Sequence, residues 1–262
     1  MHINTFDHYQ QHGTWIHELD PRVKVVICVV FIISTALLPD GAWLAYMLSW
    51  GMVIGLALAA QIEPWFVIKR SLLILPFLLA AVTVAFTLPG QVLWQGPWGL
   101  TVTDAGLTRF VSILMRSWIS LQMAILLTAT TRFPDVLHAL RHLKVPALLV
   151  AILAFMYRYL FVLVDEAGRL LRARAARSAQ LPGHKSGRTL SWRAAVAGGM
   201  VGQLFGRSLM RSDRVYQAML ARGYQGELLT VNPHEMTAYD WRVLALAMVL
   251  IVVVQGIGRI AP

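Results

Sequence analysis

Six apolar runs, each near the length that a helix needs to cross a bilayer, limit what this 262-residue chain can become. They occupy residues 23–38, 42–60, 71–88, 107–131, 146–164 and 239–257. A helix spanning the hydrocarbon core takes ~20 apolar residues. The charged fraction is 14%, where a soluble domain carries ~25%, so a water-bathed globule is excluded. The mean hydropathy of +0.61 agrees. The lone cysteine, Cys28, lies inside the first run, which rules out an internal disulfide and a cysteine-based metal site. About two dozen mixed residues, including Asp7, Glu18 and Asp20, precede that run, so the N-terminus does not read as a signal peptide.

Charge decides the topology. The chain has 23 Lys and Arg against 13 Asp and Glu, a formal net charge of +10. In a membrane chain such a surplus points to cytoplasmic loops rather than to nucleic acid. With the N-terminus inside, Arg22 and Lys24, then Lys69 and Arg70, then Arg132, Arg141 and Lys144 all fall inside. The Pro39-Asp40-Gly41 turn and the 89–106 loop carry no base. If residues 146–164 also crossed, the arginine-rich stretch from Arg169 to Arg222 would lie outside, against the positive-inside bias. We therefore expect five crossings, with 146–164 as a buried or interfacial helix on the cytoplasmic side. That arrangement puts 20 of the 23 bases inside. The expected fold is an all-α integral membrane protein of about five transmembrane helices plus a cytoplasmic module of long crossed helices. Its parts would be 1–131 (tail and four spans), 132–235 (the module) and 236–262 (the fifth span).

The module is unusual. Pro134 opens a short helix that runs to Lys144. A second helix is expected over 145–178, apolar in its first half and basic in its second, and stopped by Leu181-Pro182-Gly183. A third is expected over 190–222, ending at Gly223, a residue suited to a left-handed cap. Within it Ala194, Gly198, Gly202 and Gly206 recur every fourth residue. Glycine costs ~1 kcal/mol relative to alanine inside a helix, so the stripe points to a face where another helix backbone comes close. Both long helices close alike, on Ala176-Arg177-Ser178 and on Ala221-Arg222-Gly223. Each arginine could simply complement a helix C-terminus, worth ~0.5 kcal/mol. It could equally be a plug, its small neighbours letting the planar guanidinium enter a groove and grip a carboxylate. The residues alone leave both accounts open.

These features resemble the transmembrane T component of energy-coupling factor transporters, and most of all the CbiQ-type subunit of cobalt and nickel uptake systems. The matching stretches are Leu19-Asp20-Pro21-Arg22-Val23-Lys24, Lys144-Val145-Pro146-Ala147, Tyr157-Arg158-Tyr159 with Asp165-Glu166, and Ala221-Arg222-Gly223-Tyr224-Gln225-Gly226. The resemblance implies a non-catalytic scaffold in the bacterial inner membrane. Its partners would be two copies of an ABC-type ATPase subunit and a substrate-binding membrane subunit. It implies that Arg177 and Arg222 couple to the ATPases and that the Ala194–Gly206 stripe is a helix crossing. Cobalt is the first expected substrate, with nickel and a vitamin as alternatives. The last apolar run is present in some members only.

Other motifs point away from independent chemistry. There is no G-x-x-x-x-G-K-[ST] loop, no G-x-S-x-G and no H-E-x-x-H, so the chain is not expected to be the ATPase or to bind a cofactor. The apolar runs hold no interior carboxylate, which argues against a self-sufficient proton-coupled carrier. A membrane enzyme holding an anionic substrate is the rival from another class. It would need clustered carboxylates or a nucleophile–base pair, and neither is present. His138 and His142 stand four apart, a spacing that can hold a metal, but no third ligand completes a set. Met1-His2-Ile3 is reminiscent of a metal-chelating terminus, and His8, His12 and His17 read as ordinary tail residues. Arg116 falls inside the fourth run with no evident partner. Arg188 and Arg211 read as solvated.

Overall fold

Asp20 and Pro21 start the first long helix by two independent devices. The Asp20 carboxylate accepts the Arg22 backbone N–H at 2.8 Å, and proline, already fixed near helical φ, takes the first turn. In the computed structural model, residues 13–72, 82–84, 86, 89–95, 101–177, 189–226 and 236–260 are described. Most of the third apolar run, 71–88, lies outside them. So do Met1-His2-Ile3, His8, His12, Ser178 and Arg188. In chain order the helices are α1 (Trp15–Glu18), α2 (Pro21–Ala36), α3 (Trp43–Ala59), α4 (Pro64–Ser71), α5 (Asp104–Thr130), α6 (Phe133–His142), α7 (Ala147–Arg177), α8 (Leu190–Ala221) and α9 (Ala238–Ile260). Before α5, two short antiparallel strands, β1 (Val92–Gln95) and β2 (Thr101–Thr103), form a ribbon in which Val92 pairs with Thr103. Beyond that ribbon the chain is an all-α membrane protein. By length and composition, α5, α7 and α9 are each able to cross a membrane, and α3 is a shorter apolar helix.

The chain divides into two compact units, 1–143 with 233–262, and 144–232. The division falls at Leu143, so α6 belongs with the first unit rather than with the module expected to start at residue 132. In the first unit, α2, α3, α5 and α9 pack around Phe31, Tyr46, Val53, Ile119, Met123 and Ile251. Two ends can be told apart by their polar contacts. At one end the Asp20 backbone N–H donates to Asp240 at 3.1 Å, Lys24 Nζ donates to the His17 and Thr130 carbonyls, and Arg22 meets His138. At the other, the Gly41 N–H donates to Ser112 at 3.0 Å and Arg116 pairs with Asp40. The starts of α2 and α9, the end of α5 and all of α6 thus share one end.

Glycine sits where α9 meets the α2–α3 corner. A Cβ at Gly258 would lie 2.7 Å from Leu38 Cδ2 and 3.0 Å from Ala45 Cβ. The last helix is therefore fitted tightly against the α2–α3 corner.

In the second unit α7 and α8 are antiparallel and touch near their middles. At ~1.5 Å per residue, each measures close to 50 Å. Their bounds agree with the expected helices to within two residues at each end. The burial expected of the apolar half of α7 is not found. Only Val150, Ala151 and Glu166 are buried along this helix, while Leu148, Leu149, Ile152, Met156 and Val164 are exposed. Hydropathy reports that a segment avoids water, and it does not report which molecule covers it.

Candidate functional site

The two helices of the second unit are joined at one carboxylate. Glu166 of α7 is 8% exposed. It accepts from Arg169 one turn further along α7, and from Arg207 Nη1 of α8 at 2.5 Å, with Arg211 Nη2 at 4.0 Å. The guanidiniums of Arg169 and then Arg207 hold the Glu166 carboxyl below its ordinary range. Protonating Glu166 would forfeit charge-assisted bonds, the stronger kind of hydrogen bond.

Away from that point the helices diverge. On one side a cleft of ≈ 750 Å³ opens between Leu148, Phe155 and Tyr159 of α7 and Val215, Met219 and Leu220 of α8. On the other a cleft of ≈ 410 Å³ is lined by Arg174, Arg177, Trp192, Val196 and Gln203. Arg177 lies eleven residues beyond Glu166, and Arg222 fifteen beyond Arg207. At helical rise the two arginines stand about 16 Å and about 22 Å from the crossing, in opposite directions.

Each expected plug is exposed at a helix end. Ala176 and Arg177 close α7, and Ser178 lies outside the described residues. Ala221 is the last helical residue of α8 and Arg222 is its C-cap. Gly223 takes the left-handed conformation, φ +81°. Its N–H bonds to the Leu220 carbonyl at 3.0 Å, and the Tyr224 N–H to the Met219 carbonyl at 3.0 Å. This paired closure satisfies carbonyls that the helix end leaves open, and it is the geometry in which glycine follows a C-cap. Arg222 is thereby presented on a fixed end. Among the described residues, neither Arg177 nor Arg222 has a carboxylate within ion-pair distance.

The small-residue stripe does not form the crossing of α7 and α8. A Cβ at Gly198, Gly202 or Gly206 would meet nothing within 4 Å among the described residues. The face of α8 that meets α7 carries Gln203, Arg207 and Arg211. At 100° per residue the stripe lies well round the helix from that face. Periodicity shows which residues share a face, not what lies opposite it. Exposed Val201, Phe205 and Leu209 flank the stripe, so this side of α8 is apolar and open.

Three further clusters had no assigned role in the sequence. Arg116 Nε donates to the Tyr46 hydroxyl at 2.9 Å and its Nη2 pairs with Asp40, while the Tyr46 hydroxyl donates to the Pro39 carbonyl at 2.8 Å. The intramembrane arginine therefore clamps the α2–α3 turn onto α5. His138 Nε2 faces Arg22 Nη2 at 3.2 Å, and the His142 ring lies tilted by 51° with its centroid 4.5 Å away. No group of three His, Cys, Asp or Glu able to hold a metal occurs among the described residues. Finally, Asp240 accepts from the backbone and hydroxyl of Thr237 and from the Asp20 N–H, tying α9 to α2.

The chain is thus an all-α membrane protein that carries a long, basic helical hairpin. Comparison with known families makes the class specific: residues 12–233 match the model for CbiQ, described as cobalt transport protein. The chain belongs to this family. It is 25% identical over 252 residues to an uncharacterized protein of Methanocaldococcus jannaschii, covering 94% of this chain and 83% of the relative. It is 29% identical over 250 residues to the energy-coupling factor transporter transmembrane protein EcfT of Limosilactobacillus fermentum, covering 90% of each. With the cobalt transport protein CbiQ of Rhodobacter capsulatus it shares 31% identity over 137 residues, covering 52% and 53%. The family match ends before α9, the helix that Asp240 and Gly258 fit to the bundle.

Proposed function

We propose that the chain is the T component of an energy-coupling factor importer. It transmits the ATP-driven closure of two ABC-type ATPase subunits to a substrate-binding membrane subunit, and performs no covalent chemistry itself. Arg177 and Arg222 dock in acidic grooves, one on each ATPase subunit. The observation that carries this is their placement: two exposed helix-terminal arginines, without carboxylate partners among the described residues, at opposite ends of one hairpin. Cations that merely complement a helix terminus would have no reason to be matched in this way. The open stripe of Ala194, Gly198, Gly202 and Gly206 offers a face for close crossing by another helix, since small residues let backbones approach. The cargo is cobalt, in keeping with the family's description and in support of cobalamin supply.

The hairpin and the N-terminus face the cytoplasm of a bacterial inner membrane, and the chain crosses five times. Two observations support that count. The start of α9 and α6 lie at the same end of the first unit, so the segment between them makes an even number of passages. A lone crossing by α7 would break that parity, and α8 is too polar to supply the return.

Purification of the tagged chain tests the proposal. ATPase subunits are expected to accompany it in a ratio of two to one by native mass. A folded chain that supports uptake and is always recovered without ATPases would contradict the proposal.

A further inference from the structure

We infer that Glu166 is a positioning residue that sets the separation of the two docking arginines. The inference rests on the coupling role proposed for Arg177 and Arg222. Among the described residues, the only ion pairs that join α7 to α8 are those of Glu166 with Arg207 and Arg211. Open clefts flank this point on both sides, so among the described residues little else between the helices fixes how far the arms splay. A small rotation there is multiplied along arms about 16 Å and about 22 Å long.

The arrangement of charge is lopsided. One buried carboxylate serves Arg169 from its own helix and Arg207 and Arg211 from the other. Without it, Arg207 and Arg211 of α8 would lose the α7 carboxylate that pairs with them, and the crossing would be repelled where it is now held. Arg169 orients the carboxylate from within α7, leaving its other oxygen, Oε1, for Arg207 of α8. The neighbouring Asp165 is exposed and makes no ion pair with α8 among the described residues, so it serves as a control of equal charge.

The test uses the full chain with spin labels on cysteines replacing Ala175 and Gln217, one on each arm, and with the buried Cys28 replaced. Glu166→Gln should broaden and shift the label-to-label distance distribution. In the complete transporter it should cause loss of ATPase subunits at a salt concentration that the unmodified complex withstands. Asp165→Asn should change neither. The charge exchange Glu166→Arg with Arg207→Glu should restore both the narrow distribution and ATPase retention. An unchanged distribution in Glu166→Gln overturns the inference. So does a broadened distribution with full ATPase retention, since spacing would then not govern docking. Failure of the coupling role itself is a separate result: ATPase retention would survive removal of both docking arginines whatever the distances show.

Discussion

Replacing Arg177 and Arg222 together by alanine is expected to strip the ATPase subunits from the purified transporter and to abolish uptake. Each arginine ends a rigid helix, and each is free of intramolecular carboxylates among the described residues. Its charge is therefore available to a partner. Truncating one member of a desolvated, hydrogen-bonded charge pair typically costs ~2–5 kcal/mol, so either single alanine should already impair uptake. Lysine should restore only part of the loss, because a point charge does not reproduce the two-pronged guanidinium fork. The choice of controls follows from the structure. Arg211, read as solvated from the sequence, stands 4.0 Å from Glu166 and belongs to the crossing. Arg172 and Arg214 are exposed, Arg214 donating to the Met210 carbonyl of its own helix, and alanine should be tolerated at both. Equal damage from the controls would mean that diffuse positive charge, and not docking at two points, holds the ATPases.

Gly258→Leu should unsettle the membrane unit as a whole. Even a single added carbon would lie 3.0 Å from Ala45 Cβ, a stubby group that cannot swing aside, and 2.7 Å from the end of Leu38. A full isobutyl group forces α9 away from the α2–α3 corner, a strain typically of ~1–3 kcal/mol or more. The expected result is a lower thermal midpoint in detergent. Gly256→Leu is the matched control, since a Cβ at Gly256 would meet nothing within 4 Å among the described residues. If the two variants melt alike, α9 is not fitted to the bundle as described. The outcome matters because α9 lies beyond the family match, yet Asp240 and Gly258 fasten it at both ends of the unit.

What could be read from the sequence was local. The bounds of α7 and α8, the proline start of α6, and the left-handed Gly223 follow from patterns within a few residues of one another. What could not be read depends on partners far apart in the chain. Asp20 and Asp240 are 220 residues apart, Arg22 and His138 116, and Arg116 and the Asp40 that it clamps 76. Nothing in the local spacing of an acid and a base announces such pairs. Glu166 was visible only as one letter of a family-like stretch, and its role emerges when α8 is laid across it. The glycine stripe shows the opposite limit. Its regular spacing marked a real face of α8, but no periodicity names the neighbour, and α7 packs on a different side.

The most direct measurement of the central claim is site-directed cross-linking between this chain and its ATPases. Cysteines replacing Ala176 and Ala221 leave Arg177 and Arg222 in place and sit beside them on exposed helix ends. With the two cysteines in one chain, the account predicts a product holding two ATPase subunits, one bonded through each end, and each single cysteine should capture one. Cross-linking no stronger than from a cysteine at Arg172, or both ends reaching one ATPase subunit, would contradict the two-ended coupling arm.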